Sequence, residues 1–386
     1  MKRNITFLIR KNPRSIGGVQ RHSARLIEGI SESFNINKVV WKGPEWGAPI
    51  YFPYFYLKAA GNGAGLIHCD DAVTAIVGSA IKRRTGKKVV ATVHGLDVIL
   101  PIKRYQKVVS GALRNLDKVV CVSEATAAHV RLRGVPDSKI EVVPNSTEPA
   151  PTARPKSEEL FGEIQNQTGI DLSGKKILFS LGRPVRRKGF DQFIKNVFVH
   201  LPEEFVYIVA GPPQKVPGWL RNSKFLFGKS AYNKLLKASG CDSIADELEK
   251  LSEWPRVYYL KTISEELKEL LFATSHLFIM PNRSVEGDME GFGIVAIESA
   301  VRGVPVIATG IEGITDAVIH GENGLCIDEG NYTEMLKAII EITADKYKLE
   351  SFGSKAREFT LKWFSPEAVY PKYEKIFERL LNESGN

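Results

Sequence analysis

The chain has 386 residues, of which 43% are hydrophobic and 25% charged, so a disordered or fibrous protein is excluded and two or three domains are expected. The apolar runs are far shorter than the roughly 20 residues of a membrane-spanning helix, and the apolar stretch near the N-terminus stops at Arg10, too soon for a secretory leader. We therefore expect a cytoplasmic protein.

The net charge of +9 is unevenly placed along the chain. Residues 1–150 carry 23 Lys and Arg against 11 Asp and Glu, whereas the remaining residues have a net charge of −3. A basic first half indicates an anionic partner, which is a lipid surface, a phosphorylated substrate or a nucleic acid. A solubility bias with no partner is the alternative.

Cysteine and histidine are too sparse and scattered to predict a metal site. The four cysteines form no Cys-x-x-Cys pair, and none of the seven histidines lies at metal-ligand spacing from another. His22, His68 and His94 meet only if the fold brings them together. We expect buried, unpaired cysteines and no structural metal; the cysteines are Cys69, Cys121, Cys241 and Cys326.

The first half of the chain alternates strand and helix patterns, beginning with the apolar strand at residues 5–9. Ser123 is a favourable N-cap for the helix that starts at Glu124. Repeated β-α-β units predict a parallel sheet with helices on both faces. The further elements expected here are strands at 34–41, 66–68, 88–94, 117–122 and 140–143, and helices at 19–30 and 73–83.

A proline-rich stretch at residues 149–157 lacks periodicity and is the natural linker. The β-α pattern then restarts, with Ser264 as an N-cap and Gly303 and Pro305 as helix-stop signals. The fold class is therefore α/β, two doubly wound Rossmann-like domains whose parallel sheets face a cleft, with ligands at the carboxyl ends of the strands. The elements expected here are strands at 176–181, 205–210, 257–260, 276–280 and 304–308, and helices at 190–197, at 293–301 and from 332 onward.

The strongest chemical signal is Glu290-Gly291-Phe292-Gly293, followed by a helix that contains Glu298. Glycines at a helix start let backbone N–H groups approach an anion, most often a phosphate. The two glutamates cannot share a helical face, but they can flank a ligand with hydroxyls at both ends and phosphates between, as in a nucleotide sugar. An ordinary amphipathic helix with a glycine-rich entry remains open on spacing alone.

A basic loop follows the strand at 176–181 and contains Arg183 and Lys188. A guanidinium and an ammonium at a strand's carboxyl end suit a diphosphate, although a charge run is more often a solvated turn. Gly17 and Gly18 form a second glycine-rich turn at a helix start, which suits a phosphate or is a plain tight turn. It is not Gly-x-Gly-x-x-Gly, and no acidic residue follows at ribose distance, so a nicotinamide site is disfavoured.

His94 ends another parallel strand in the sequence His94-Gly95-Leu96-Asp97 and is either a cleft residue or a histidine satisfied at a sheet edge. Taken together, these motifs resemble the retaining glycosyltransferases of group one, or family four, which have the GT-B fold. The resemblance covers most of the chain. Two departures are Gly211-Pro212-Pro213 in place of Gly-x-Gly, and Ser146 where glycine is usual; the role of residues 214–254 stays open.

The resemblance implies roles for the residues that match the family's motifs. Residues 1–150 are implied to bind the acceptor, with helix 367–386 packing back on them, and residues 151–366 to bind the donor. No cofactor and no obligatory metal are implied. Catalytic roles fall to His94 and Glu290 at the transferred sugar, and donor contacts to Gly17, Gly18, Arg183 and Lys188 at the diphosphate, Phe292 and Gly293 beside the sugar, and Glu298 at the ribose.

The acceptor side is signalled by the aromatic cluster Tyr51–Leu57 in the basic half of the chain. Aromatic and basic residues together suit contact with an anionic membrane from the cytoplasmic side, whereas packing of a sheet-edge helix is the alternative. Nucleic acid is an unlikely partner, because charge alone suggests it and no binding motif accompanies it.

We expect transfer of a hexose-type sugar, with retention, from a UDP-, GDP- or ADP-sugar to a lipid-linked or polysaccharide-type acceptor. The alternatives are an epimerase or hydrolase of the same fold and a non-catalytic nucleotide-sugar-binding protein.

Overall fold

The computed structural model describes residues 2–10, 18–42, 48–150, 158–213, 232, 236 and 242–383. The chain divides into two compact units. The first comprises residues 1–146, 290–294 and 364–386, and the second comprises residues 147–289 and 295–363. Each unit contains one parallel sheet with helices on both faces. The prediction of two doubly wound α/β domains is confirmed.

The sheet of the first unit has six parallel strands in the order β2-β1-β3-β4-β5-β6. Strands that follow one another in the chain are joined by helices, because parallel strands need a crossover connection. The strands are β1 (Arg3–Ile9), β2 (Phe34–Val40), β3 (Leu66–Cys69), β4 (Lys88–Val93), β5 (Lys118–Cys121) and β6 (Ile140–Val142). The helices are α1 (Gly18–Ile30), α2 (Ala48–Ala60), α3 (Ala72–Thr85), α4 (Leu96–Ile99), α5 (Lys103–Asn115) and α6 (Glu124–Leu132).

Successive side chains of each strand point to opposite faces, so the first unit has two separate cores. Ile5, Phe7 and Val90 face the core covered by α1 and the C-terminal helix, whereas Leu8 and Val89 face the core covered by α2, α3, α5 and α6. In the first of these cores the α1–C-terminal helix contact is close, because Gly29 lies against the Tyr370 ring and leaves no space for a Cβ.

The second unit repeats this architecture with the strand order β12-β11-β10-β7-β8-β9. Its strands are β7 (Lys176–Leu181), β8 (Phe205–Ala210), β9 (Val257–Leu260), β10 (Leu277–Met280), β11 (Val306–Thr309) and β12 (Gly324–Ile327). Its helices are α7 (Glu158–Thr168), α8 (Phe190–Asn196), α9 (Ala245–Leu251), α10 (Glu265–Thr274), α11 (Ile294–Ala300), α12 (Ile314–Ala317), α13 (Tyr332–Ala344) and α14 (Lys346–Phe364), of which α11 and α14 begin or end in residues assigned to the first unit. The last helix of the chain, α15 (Pro366–Asn382), belongs to the first unit.

The helix predicted from the Ser264 N-cap is present as α10, and the Ser264 side chain accepts a hydrogen bond from the Leu267 N–H. The sequence analysis missed β12 and helices α4, α5, α7, α9 and α12. The ends of the predicted strands agree with the structure within two residues; the strand predicted at residues 304–308, for example, lies at Val306–Thr309. Half-buried Cys326 contradicts the expectation of four buried cysteines, while Cys69 and Cys121 are buried and Cys241 lies outside the described residues.

The aromatic cluster Tyr51–Leu57 lies on helix α2. Tyr51 and Phe55 are buried in the core of the first unit, so for these two rings helix packing, the alternative in the sequence analysis, is correct. Leu57 is 75% exposed on the outer side of the same helix. No helix of the described residues has the length and apolar character needed to span a bilayer.

Candidate functional site

The basic loop after β7 is not a solvated turn. Arg186–Lys188 form a short 3-10 helix directly before Gly189, which precedes α8. Lys188 is only 8% exposed, and its Cε and Nζ lie beside Gly182 at the end of β7. Arg183 is exposed at the start of the loop. The loop therefore places one buried lysine and one exposed arginine at the end of this strand.

The backbone fixes this loop against the neighbouring strand ends. Gly189 has φ +65°, and a Cβ there would overlap the carbonyl oxygen of Pro281, the first residue after β10. A Cβ on Gly211, after β8, would likewise overlap the Gly182 carbonyl oxygen. The loops after three adjacent strands, β10, β7 and β8, therefore touch through their main chains, because only glycine leaves room for that approach. Gly211 has this role although its surroundings depart from the family pattern.

Arg186 and Arg187 of the same loop pair with carboxylates of the second unit. Arg186 Nε lies 3.0 Å from Asp242 Oδ2, and Arg187 Nη1 lies 3.4 Å from Asp288 Oδ2. The Arg187 pair is nearly buried, and it ties the loop after β7 to the segment that leads to Glu290. Sequence reasoning missed both pairs, because the partners lie 56 and 101 residues away along the chain.

Glu298 lies in α11 and is 4% exposed. The next turn of the helix holds it in place: Arg302 Nη1 donates to the Glu298 carbonyl oxygen at 2.5 Å. The Arg302 guanidinium also donates two 2.7 Å hydrogen bonds to Glu269 and stacks on the Phe272 ring, both on α10. A bidentate, stacked arginine is a rigid connection between helices, so Glu298 sits on a fixed backbone. Nothing in the local sequence signalled Arg302 or Glu269.

The segment from Glu290 to Ile294 belongs to the first unit. Glu290 is half-buried, Gly293 is buried, and the buried ring of Phe292 packs edge-on against Phe364 at 5.9 Å. Phe292 therefore offers a ligand its main chain and not its ring. Gly291 lies against the carbonyl oxygen of His94, and its own carbonyl accepts a hydrogen bond from Thr126 Oγ1 at 3.4 Å. This contact brings the Glu290 segment to the His94 loop within the first unit.

His94 follows β4 and is held on two sides. Its Nε2 lies 3.0 Å from the Asp70 carbonyl oxygen, so Nε2 carries the proton and Nδ1 is left as an acceptor when the ring is neutral. Its backbone N–H donates to Asp97 Oδ1 at 3.0 Å. The other Asp97 oxygen accepts from the Ala72 N–H, at the start of α3, at 2.9 Å. Asp97 therefore joins the His94 loop to α3, and burial raises its pKa.

Further polar side chains gather at the same strand ends. Asp71 caps α3, and its carboxylate accepts hydrogen bonds from Arg10 Nε and Nη2 at 2.9 and 2.7 Å. Tyr105 donates to the Asp97 carbonyl at 2.6 Å. The sequence analysis missed Arg10 and Asp71; their position directly after β1 and β3 was the available signal, since ligands collect at the carboxyl ends of parallel strands.

The fold brings His22 to His94, with ring centroids 5.2 Å apart. Behind them, His22 Nε2 lies 3.3 Å from the Tyr373 hydroxyl of α15, and His68 Nε2 lies 2.9 Å from Thr92 Oγ1. Burial lowers the pKa of His22 well below its usual value and lowers that of His68 to about 3. Both rings are therefore neutral, and they support the site without titrating near neutral pH.

Gly18 is the first residue of α1, whereas Gly17 lies outside the described residues. In the part of the chain that the structure describes, no group of three or more His, Cys, Asp and Glu side chains could hold a metal ion. That the reaction needs no metal stays a prediction.

Two family models match the chain. Glycosyl transferases group 1 matches residues 162–359, and Glycosyltransferase Family 4 matches residues 34–150. The chain is 25% identical over 307 residues to a GDP-mannose-dependent alpha-(1-6)-phosphatidylinositol monomannoside mannosyltransferase of Mycolicibacterium smegmatis, a match that covers 75% of this chain and 70% of that protein. It is 24% identical over 329 residues to an uncharacterized glycosyltransferase of Bacillus subtilis, with 83% and 79% covered.

Solved structures show the same fold. Sucrose-phosphate synthase from Thermosynechococcus elongatus superposes with a TM-score of 0.77 at 20% identity, covering 99% of this chain and 100% of that one. HepE from Anabaena, in complex with UDP and glucose, gives a TM-score of 0.73 at 17% identity, covering 98% and 100%. The two parallel sheets and these likenesses confirm the GT-B fold class. The chain belongs to the group 1 glycosyl transferases, and glycosyl transfer is its reaction class.

Proposed function

We propose that this protein is a retaining glycosyltransferase that moves a hexose-type sugar from a nucleoside-diphosphate sugar to a lipid-linked or polysaccharide-type acceptor. The observation that carries the proposal is the loop after β7, where buried Lys188 and exposed Arg183 stand at a strand end fixed by main-chain packing. Fixed cations stabilise a diphosphate as it leaves, because they need no reorganisation when its charge develops.

The donor class has support from the relatives. The relative from Mycolicibacterium smegmatis is named as GDP-mannose-dependent, and the HepE structure contains UDP and glucose. In our proposal Arg183 and Lys188 bind the diphosphate together with the amides of Gly17 and Gly18, and Glu298 accepts hydrogen bonds from the ribose hydroxyls. The nucleoside itself is left to experiment.

At the sugar, Glu290 accepts hydrogen bonds from hydroxyls beside the Phe292 and Gly293 amides, and His94 contacts the sugar near its reacting carbon. The bond from that carbon to the phosphate oxygen breaks, and the acceptor hydroxyl attacks from the same side. The acceptor proton passes to the departing phosphate oxygen. Positioning and stabilisation of the leaving group supply most of the rate, with no dedicated protein base and no obligatory metal.

The acceptor class is lipid-linked or polysaccharide-type. The Mycolicibacterium smegmatis relative is named for a phosphatidylinositol monomannoside acceptor. The segment from Pro281-Asn282-Arg283 to Gly287-Asp288, before Glu290, resembles the branch of the family whose members often glycosylate such acceptors. An epimerase or hydrolase of the same fold would turn the donor over without acceptor, and a binding protein would hold the nucleotide with no turnover.

Thermal shifts with UDP, GDP, ADP and their sugar conjugates test the donor site. We expect one nucleoside diphosphate to raise the melting temperature, since binding to the folded state stabilises it by about 2.7 kcal/mol at a hundredfold excess over Kd. Glu298→Ala and Arg183→Ala should abolish the shift and lower kcat/KM by about 10²–10³-fold while remaining folded. Arg186→Ala is the matched control, because Arg186 lies in the same loop but pairs with Asp242.

Full activity in Glu298→Ala or Arg183→Ala would contradict the site. Product NMR should show the anomeric configuration of the donor, and activity should persist in EDTA. Inversion or complete loss in EDTA would overturn the retaining or the metal-independent part of the proposal, respectively. Donor loss without acceptor would favour the epimerase or hydrolase.

A further inference from the structure

Helices α2, α3 and α5 lie side by side on one face of the first unit's sheet. α3 contacts both α2 and α5, and all three pack their inner sides into the same core. Their outer sides together form one surface, which we call the three-helix face. It lies on the opposite side of the sheet from α1 and α15, which pack into the other core.

The three-helix face has an extreme charge composition. Its three helices contain no aspartate and no glutamate. On the opposite side, α1 and α15 together carry five basic and four acidic residues, so the helices of that side are nearly balanced in charge. The basic residues of the three helices are Lys58, Lys82, Arg83, Arg84, Lys103, Arg104, Lys107 and Arg114.

Most of this charge is not neutralised by neighbouring carboxylates. Lys82 pairs with Asp117 at 2.8 Å. Within the described residues, Lys58, Arg84, Arg104 and Lys107 form no ion pair, and all four are exposed. A surface with several exposed cations and no acidic residue on its helices attracts anionic partners.

The same helices and the N-cap of α5 also carry exposed apolar side chains. Leu57 of α2 is 75% exposed, Val108 of α5 is 51% exposed, and Ile102, at the start of α5, is 42% exposed. A ligand made only of phosphate groups would not contact these apolar side chains. An anionic bilayer surface contacts both the basic and the apolar side chains, because its headgroups attract Lys and Arg while the interface takes up aliphatic side chains. The Leu57 side chain lies one turn beyond Pro53, away from the buried rings of α2.

We infer that the three-helix face docks the protein onto an anionic membrane surface. The inference goes beyond the proposed function, because docking needs neither donor nor turnover. Arg104, Lys107 and Lys58 supply the electrostatic attraction, and Leu57 and Val108 enter the headgroup region. The docking is peripheral: side chains that protrude from the folded surface contact the membrane, and no helix inserts into it.

Co-sedimentation of the full chain with vesicles tests the inference. Vesicles of phosphatidylcholine with about 30% phosphatidylglycerol should bind the protein, and pure phosphatidylcholine should bind it at least about tenfold more weakly. Arg104→Glu/Lys107→Glu should lower the partition coefficient for anionic vesicles by at least about tenfold, since each basic residue near such a surface contributes a factor of about five. Leu57→Ser/Val108→Ser should lower it several-fold with the charge unchanged.

Lys372→Glu/Lys375→Glu is the matched control. It makes the same charge change at the same i, i+3 spacing, at exposed positions of α15 on the opposite side of the sheet. We expect it to change vesicle binding by less than about twofold. Equal losses in the two charge-reversal variants would show a net-charge effect and overturn the inference.

Failure of the protein to bind anionic vesicles would also overturn the inference. So would binding of a nucleic-acid duplex that Arg104→Glu/Lys107→Glu abolishes, if the protein does not bind vesicles. Nucleotide thermal shifts on the same variants separate this outcome from failure of the proposed function. A variant that loses vesicle binding but keeps its nucleotide shift is folded, and its donor site is intact.

Discussion

The two units have the same sheet architecture, but their carboxyl strand ends are held in different ways. In the second unit, the loops after β7, β8 and β10 touch through the main chains of Gly189 and Gly211. In the first unit, buried side chains do this work: Asp97 joins the His94 loop to α3, and His68 lies behind it on β3. An added methyl group at Gly189 or Gly211 should therefore disturb the strand ends of the second unit, and a change of charge at Asp97 or His68 those of the first.

The largest loss of stability should come from adding a methyl group where the loops after β7, β8 and β10 of the second unit touch. In Gly189→Ala the new Cβ is strained by the positive φ and also overlaps the Pro281 carbonyl oxygen. Gly174→Ala is the control, because Gly174 has nearly the same φ, +66°, but open space around it. We expect Gly174→Ala to cost about 1–2 kcal/mol and Gly189→Ala about 2–3 kcal/mol more. The midpoints of urea unfolding measure both. Equal midpoints would mean that main-chain contact does not fix the loop after β7.

The second-largest effect should be a loss of stability at acid pH, caused by the buried histidines of the first unit. The folded-state pKa of His68 is about 3, below the 6.5 of the unfolded chain, so below pH 6.5 the unfolded chain binds a proton that the folded chain does not. Stability is complete above pH 6.5 and falls as the pH drops toward 3. Between pH 6.5 and 5 the loss from His68 is about 2 kcal/mol, and His22 adds to it in the same direction.

The free energy of unfolding at pH 7 and at pH 5 tests this dependence. His68→Gln keeps a polar partner for Thr92 but does not titrate, so its stability should fall less between the two pH values than that of the unmodified chain. His320→Gln, at an exposed position of the second unit, is the control for loss of a histidine. An unchanged pH dependence in His68→Gln would remove His68 from this account.

The smallest effect should follow Asp97→Asn. Asparagine keeps one acceptor oxygen, so the loop loses either the His94 or the Ala72 hydrogen bond. We expect kcat to fall about tenfold, equivalent to about 1.4 kcal/mol, with nucleotide binding and KM for the donor unchanged. Asp137→Asn, at an exposed ion pair with Arg131, should leave kcat within about twofold. A weaker nucleotide thermal shift in Asp97→Asn, with kcat intact, would contradict a positioning role at the sugar.

Much of this protein could be predicted from its sequence. Short apolar runs alternating with amphipathic stretches predicted two parallel α/β sheets, because burial on both faces demands continuous apolar strands. The candidate residues His94, Arg183, Lys188, Glu290 and Glu298 were found because they follow strands or start helices. Helix α2 was harder, since its aromatic residues lack a helical periodicity and Pro53 interrupts it.

The rest depended on contacts between residues far apart in the chain. Packing brings together Arg302 and Glu269, joins Asp97 to both His94 and Ala72, and places the neutral histidines beside His94. Local sequence carries no signal for these contacts. The same holds for charge: the sequence determined that residues 1–150 are basic, but only the tertiary structure decided that α2, α3 and α5 share one face. Side chains from three separate segments combine into one surface only when the strands beneath them pair.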